Sequence, residues 1–286
     1  MKSIIYAILA IFILGMVATG FTSKPETKYR IVIQSAEGKI SPSNLSRSAE
    51  IITNRLKSFS NEKFEVSAIA GKNQIQVTLN KHWDMKIARN LLTQKGSIAF
   101  YETYNYQGVS ELLKDDSMLL SLFNSKAPSA STSQIGCITD SEVSKVDKYL
   151  YSLGLDQKCR FVWSNPFDET NICLYALKLE KGKDPIAVGN DIDNYKTGYD
   201  SNSKQDYINF SFKKPAIPLW AEITKRNIGS AIAILLDGKV IFAPVVQDEI
   251  SGGNCWLTGG FTTSHLKYIV AIGSNGELPV SFVAIE

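Results

Sequence analysis

The 286-residue chain has 2 histidines and 4 cysteines, and its basic residues never run more than two together. His82 lies in Lys81-His82-Trp83 and His265 on a predicted C-terminal helix; neither accompanies a G-x-S-x-G nucleophile elbow. Both read as surface or packing residues, because catalysis demands mutually placed groups. A net charge of +3 without basic tracts leaves no electrostatic footprint for nucleic acid. There is no low-complexity tract and no repeat at a period of about 20–50 residues, which sets aside solenoids and propellers. Gly252-Gly253 and Gly259-Gly260 lack the Gly-Lys-Ser/Thr helix start of a phosphate loop, and read as tight turns needing positive φ. Asp191, Asp193, Asp200 and Asp206 miss calcium-loop spacing, since Tyr195 and Lys196 stand where a ligand and a glycine belong. No catalytic residue, metal or cofactor is expected, and the chain reads as non-enzymatic.

What is present is an ordinary globular composition, 44% hydrophobic and 21% charged, behind an unusual N-terminus. Ser3 to Phe21 is almost unbroken apolar sequence. As a helix it would measure about 28 Å against a hydrocarbon core of roughly 30 Å. Ala18-Thr19-Gly20 also supplies small residues suited to signal cleavage. Residues 1–23 therefore read either as a signal-anchor, giving a single-pass membrane protein with an exported domain, or as a cleaved signal peptide, giving a free exported one. Export places Cys137, Cys159, Cys173 and Cys255 in an oxidising compartment, where an even count points to disulfides. Three pairings are open, Cys159–Cys173 closing the shortest loop; the alternative is four buried thiols acting as small hydrophobes.

Periodicity predicts strands at Tyr29–Gln34, Phe64–Ile69, Gln74–Leu79 and Ser97–Glu102. Between them, one helix opens at Ser41 or Ser43 with Leu45, Ala49, Ile52 and Leu56 on one face. A second is capped by Asp84, buries Ile87, Ala88, Leu91 and Leu92, and stops at Gly96. The order β-α-β-β-α-β is that of a ferredoxin-like unit. Short helices at Val109–Leu113 and Ser117–Phe123 follow, then an exposed loop at Ala127–Gln134. Asp140 is expected to cap a helix ending at Gly154, with strands at Phe161–Trp163 and Asn171–Leu179. Asp191–Asn202 reads as polar turns and Tyr207–Phe212 as a strand.

The most informative stretch runs from Pro218 to Pro279. Leu219, Trp220 and Ile223 fall at helical spacing, and the helix stops at Asn227-Ile228-Gly229. Ala231–Leu236 and Lys239–Val246 are apolar runs separated by Asp237-Gly238, a type I′ hairpin signal. Thr262 or Thr263 can cap a helix through Ile269 and Ala271, and Leu278–Ile285 closes as a strand. The hairpin arm containing Phe242, Pro244, Val245 and Val246 is apolar on both faces, so it is either buried or a docking surface.

These residues resemble the first periplasmic (P1) domain of the SecD part of SecDF. The shared pattern is W-A-x-I-T-x-x-N-I-G from Trp220, I-A-I-x-L-D-G-K-V from Ile232, A-P-V-V from Ala243, then G-G at Gly252-Gly253, T-G at Thr258-Gly259 and L-P-V at Leu278. A looser match covers Ala49, Ile52, Arg55, Leu56 and the Ile75–Val77–Leu79 strand. In all, the resemblance spans Lys39–Glu102 and Gly189–Glu286. It departs in lacking G-L-D-L-x-G-G between Phe21 and Ile33, and the expectation is of a free-standing P1 homologue without the transmembrane motor.

The resemblance implies an α+β fold, a ferredoxin-like base with an inserted α+β head, preceded by one hydrophobic helix. The base would comprise residues 24–104 and 264–286, and the head residues 105–263, with a divergent insert at 105–188. The implied role is accessory to Sec-dependent export, by transient binding of emerging unfolded secretory polypeptides beside the Sec translocon or a full-length SecDF. Phe242, Val245 and Val246 are the candidate contacts, and the N-terminal helix would hold the membrane. The alternative role is a structural envelope scaffold that retains the P1 fold.

Overall fold

The computed structural model describes residues 28–69, 71–114, 117–123, 129, 131–155, 158–164, 171–179, 185–259 and 261–285. The apolar N-terminal run, Gly260 and part of the 127–134 loop lie outside them. Among the described residues, no helix is long and apolar enough to cross a membrane.

The chain opens with β1 (Lys28–Ser35), α1 (Pro42–Phe59), β2 (Phe64–Ile69), β3 (Gln74–Asn80), α2 (Met85–Thr93) and β4 (Ile98–Glu102). Ser41 caps α1 by accepting from the Asn44 amide, with Pro42 in the first turn where its missing N–H costs nothing. Asp84 caps α2 through the amides of Lys86 and Ile87. The insert follows as α3 (Tyr106–Leu113), α4 (Ser117–Ser121), β5 (Gln134–Thr139), α5 (Val143–Ser152), β6 (Cys159–Trp163) and β7 (Asn171–Lys178). Then come β8 (Ala187–Val188), β9 (Ile192–Asp200), β10 (Gln205–Phe212), α6 (Ile217–Arg226), β11 (Ile232–Leu236), β12 (Lys239–Phe242), β13 (Asn254–Thr258), α7 (Thr263–Gly273) and β14 (Phe282–Ala284).

Four antiparallel sheets result, ordered β14-β1-β3-β2, β12-β11-β4-β8, β13-β10-β9 and β5-β7-β6. The first has split-βαβ connectivity, but its fourth strand is β14, not β4. The sequence order alone placed β4 there. Its side chains explain the departure. Ile98 and Phe100 face the main core while Tyr101 joins a second apolar cluster with Val162, Leu177, Ala233, Leu235 and Val240. A strand apolar on both faces belongs in a sheet covered on both sides. That sheet lies between the main core and the insert, which is why all five residues of β11 are buried.

Other boundaries also moved. Helix α2 ends at Thr93, with Gln94 as its extended C-cap, short of Gly96. A 3-10 turn at Asp140–Glu142 precedes α5, and Thr139 rather than Asp140 begins it, its amide donating to the Glu142 carboxylate at 3.0 Å. The polar segment 191–202 is largely β9, an edge strand whose few inward residues include Ile192 and Tyr195. β13 was also unanticipated, though Cys255 and Leu257 alternate inward with period two.

Cys137 and Cys173 form a disulfide between β5 and β7, where they stand opposite in register. Cys159 and Cys255 are free and buried, so two of the four candidate cysteines are not bridged. Cys159 opposes Lys178 from β6, on the other side of β7, which removes the shortest-loop pairing. Burial pushes both thiols up, Cys159 to about 11 and Cys255 to about 12, leaving them protonated packing groups.

Candidate functional site

The hairpin turn takes the geometry its residues demand, with φ of 50° at Asp237 and 80° at Gly238. Its carboxylate does more than turn the chain. Asp237 accepts from the amides of Gly96 at 2.9 Å and Ser97 at 2.7 Å, while its own N–H donates to the Ser97 carbonyl. The turn is thereby fastened to the segment that leads from α2 into β4.

Beneath that segment lies Arg55, wholly buried on α1. Its guanidinium donates to the carbonyls of Leu91, Gln94, Lys95 and Gly276, at 3.3, 2.6, 2.8 and 2.7 Å. Gly96, at φ 92°, leaves the space that Arg55 Nη2 occupies; a Cβ there would collide with it. Tyr268 on α7 hydrogen-bonds the Gln94 side chain. Burial lowers the guanidinium to about 10, so it remains a cation at neutral pH. One buried cation thus ties together α1, the exit from α2 and the turn after α7.

The W-A-x-I-T-x-x-N-I-G residues have equally local tasks. Trp220 stacks on Phe212 at 4.3 Å and meets Phe100 edge-on at 5.5 Å. The Thr224 hydroxyl accepts from the Ile250 amide, holding the loop that leads to β13. Asn227 donates to the Ile223 carbonyl and to Glu102, which also accepts from Arg226 Nε at 2.7 Å. Burial pushes the Glu102 carboxyl up, but the bonds from Asn227 and Arg226 outweigh it and leave it below its ordinary 4.5. Its contribution to stability is therefore complete above that value and lost as pH falls through the folded pKa. Glu102→Gln is expected to lower neutral-pH stability by roughly 1.5–3 kcal/mol. The same change should flatten the loss of stability on acidification below about pH 4.5. Urea unfolding at pH 7 and pH 4 tests this; equal pH slopes in both proteins would refute the assignment.

The candidate contact residues separate on inspection. Phe242 is 7% exposed and packs edge-on against Phe261 at 4.6 Å, so it is core rather than contact surface. Val245 is 48% exposed, beside Ile228 at 52%, where bridges Ala231–Val245 and Ile228–Val246 continue the hairpin irregularly. Pro244 accepts from the Ile232 amide. Gly253 has φ of 70°, and a Cβ there would come 2.6 Å from Ile217; Gly252 and Gly259 do not take positive φ. Thr258 pairs with Tyr207 across β13 and β10.

Sequence reasoning missed an exposed aromatic feature of this region. Trp256, on edge strand β13, is 60% exposed and its ring lies 4.6 Å from that of Tyr207. Tyr207 in turn covers Gly198 on β9, where a Cβ would collide with it. The alternation of residues 254–258 carried the signal. His82 is exposed in the loop before α2, and the His265 amide donates to the capping Thr262 hydroxyl. Among the described residues, no group of three or more His, Cys, Asp or Glu side chains could hold a metal.

Residues 173–280 match the family described as SecDF, P1 head subdomain. The protein translocase subunit SecD of Acidaminococcus fermentans is 35% identical over 101 residues, covering 35% of this chain and 24% of that protein. SecD of Mycobacterium tuberculosis is 34% identical over 104 residues, covering 35% of this chain and 18% of its own length. The match thus spans a quarter or less of these relatives. A solved structure of SecDF, described as a membrane component that enhances protein export, superposes with a TM-score of 0.52 at 18% identity, covering 90% of this chain and 98% of the other. That likeness concerns the fold. The chain therefore carries a stretch of the SecDF P1 type, with residues 173–280 matching its head subdomain.

Proposed function

We propose that this chain serves protein export as a non-enzymatic accessory domain, holding unfolded polypeptide transiently on its head as it emerges from the Sec translocon. The base is residues 24–104 and 264–286, and the head residues 105–263. The observation that carries the reading is exposed Trp256 on β13, an edge strand five residues long, with Tyr207 of the adjacent β10 packed against its ring. An extended chain can add to such an edge through main-chain hydrogen bonds, with an aromatic side chain gripping whichever residues pass. The other edge of that sheet is β9, and β8, which ends the neighbouring β12-β11-β4-β8 sheet, is poorly suited. β8 has two residues, and the Val188 amide is already held by the Asp191 carboxylate at 2.8 Å. Val245 and Val246 beside Ile228 supply a second apolar strip for the same client. Individual contacts of this kind are weak, and tethering at the exit raises their effective concentration.

Photo-crosslinkers at Trp256 and Val245, tested in cells during a pulse of secretory protein synthesis, provide the test. The expected result is adducts to nascent chains that disappear as export completes. Adducts confined to stable envelope proteins would overturn the reading and indicate a scaffold.

A further inference from the structure

The end of the first sheet where β1 begins carries an open, polar cleft of about 700 Å³. Lys57, Lys63, Lys267 and His82 line it together with Ser58, Ser60 and Glu62. The neighbouring carboxylates are already engaged. Glu62 accepts from Asn80 Nδ2 at 2.6 Å, Glu65 pairs with Lys28 at 3.4 Å, and Asp84 caps α2. Among the described residues, none of the three lysines has an ion-pair partner within 4 Å. All three are exposed, and Lys81 stands next to His82. Three lysines against the single Glu62 carboxylate leave the cleft with excess positive charge, so an anion placed among them is stabilised.

Position identifies which anion. Asn80, in the cleft wall, is the register partner of Lys28, the first residue of β1. The apolar run of the sequence ends at Phe21, and seven residues, Thr22 to Lys28, reach at most about 25 Å. The cleft is therefore tethered within that distance of the segment read above as entering a bilayer. Lys24 adds basic charge along the tether. We propose that the cleft binds the headgroup of an anionic phospholipid, fixing the orientation of the domain on the membrane surface. Phosphate oxygens would lie among the Lys57, Lys63 and Lys267 ammonium groups, with His82 at the rim. The inference rests on reading residues 3–21 as a membrane segment, and it is independent of polypeptide binding.

The test uses the full chain in neutral detergent micelles, with the ring C–H resonances of His82 and His265 followed by NMR and assigned with His265→Gln. Doping the micelles with phosphatidylglycerol is expected to shift His82 saturably and leave His265 in place. A lysine beside an anionic surface contributes about fivefold in affinity. Lys63→Gln/Lys267→Gln should therefore weaken the titration roughly 25-fold, with the unmoved His265 signal reporting an intact fold. Phosphatidylcholine, and inorganic phosphate at the same concentration, should leave His82 unshifted. An equal response to phosphatidylcholine, no response to phosphatidylglycerol, or a full response to inorganic phosphate would each overturn the proposal, the last by revealing a free-anion site. No polypeptide enters this titration, so its failure and that of the export reading are told apart.

Discussion

Arg55→Met is expected to lower the unfolding free energy by roughly 3–5 kcal/mol, the range for breaking a buried charged network by removing one partner. Methionine preserves much of the packing of the stem. What it removes is the donor fork serving the carbonyls of Gln94, Lys95 and Gly276, of which Lys95 keeps the Leu278 amide as a second donor. Arg55→Lys should recover only part of the loss, because one ammonium cannot present the planar, branched donor geometry to four carbonyls on three segments. The lesion should also be non-local. The Gln94–Ser97 segment is held from below by Arg55 and from the side by Asp237, so loosening it frees the hairpin turn from its anchor. Urea denaturation gives the first number, and amide exchange at Gly96 and Ser97 the second. A stability within about 1 kcal/mol of wild type would show that water replaces the guanidinium, and the junction would then need another account.

Trp220→Ala should cost about 3–5 kcal/mol, as large-to-small changes of buried aromatic residues do. Trp220 is buried against Phe212 and Phe100, and its neighbour Ile223 faces the same core. Its indole N–H, however, has no hydrogen-bond partner. That orphan donor makes the paired variant informative. Trp220→Phe gives up ring volume but also removes an unsatisfied polar group, so it should cost about 1.5 kcal/mol or less. If the phenylalanine variant lost as much stability as the alanine one, ring packing could not be the reason for tryptophan at this position. Thermal and urea unfolding of the three proteins decide it.

Local elements were legible because their signals are local. Ser41 and Asp84 as helix caps, the Asp237-Gly238 turn and the inward faces of α1 and α2 each follow from residues within a turn or two of one another. β9 and β13 were harder. An edge strand with one solvated face needs only two inward side chains, and Asp191–Asn202 hides Ile192 and Tyr195 among polar neighbours. Glu102 could be read as the end of a strand, but not as the acceptor for Arg226 and Asn227 more than a hundred residues later.

The site followed the same division. Val245 is exposed where a double-faced apolar run left either outcome open, and Phe242 of the same run is buried because Phe261 covers it. The alternation of residues 254–258 marks Trp256 as outward, but only placing β13 at a sheet edge with Tyr207 beside it shows its prominence. Likewise, Lys57, Lys63 and Lys267 are scattered single charges in the sequence, and only the packing of α1, β2, β3 and α7 makes one cleft of them.

By itself, then, the sequence determined the elements of the first βαββα run, the Ser41 and Asp84 caps, the hairpin turn and the P1-type resemblance of the Pro218–Pro279 stretch, all of which depend on short-range backbone preference and side-chain period. Tertiary structure decided the rest. It set which strand lies beside β1, which cysteines pair, which apolar residues remain exposed and where lone charges gather. Those outcomes depend on contacts between residues far apart in the chain, such as Arg55 with Gly276 and Ser35 with Phe282, whose pairing no local pattern records.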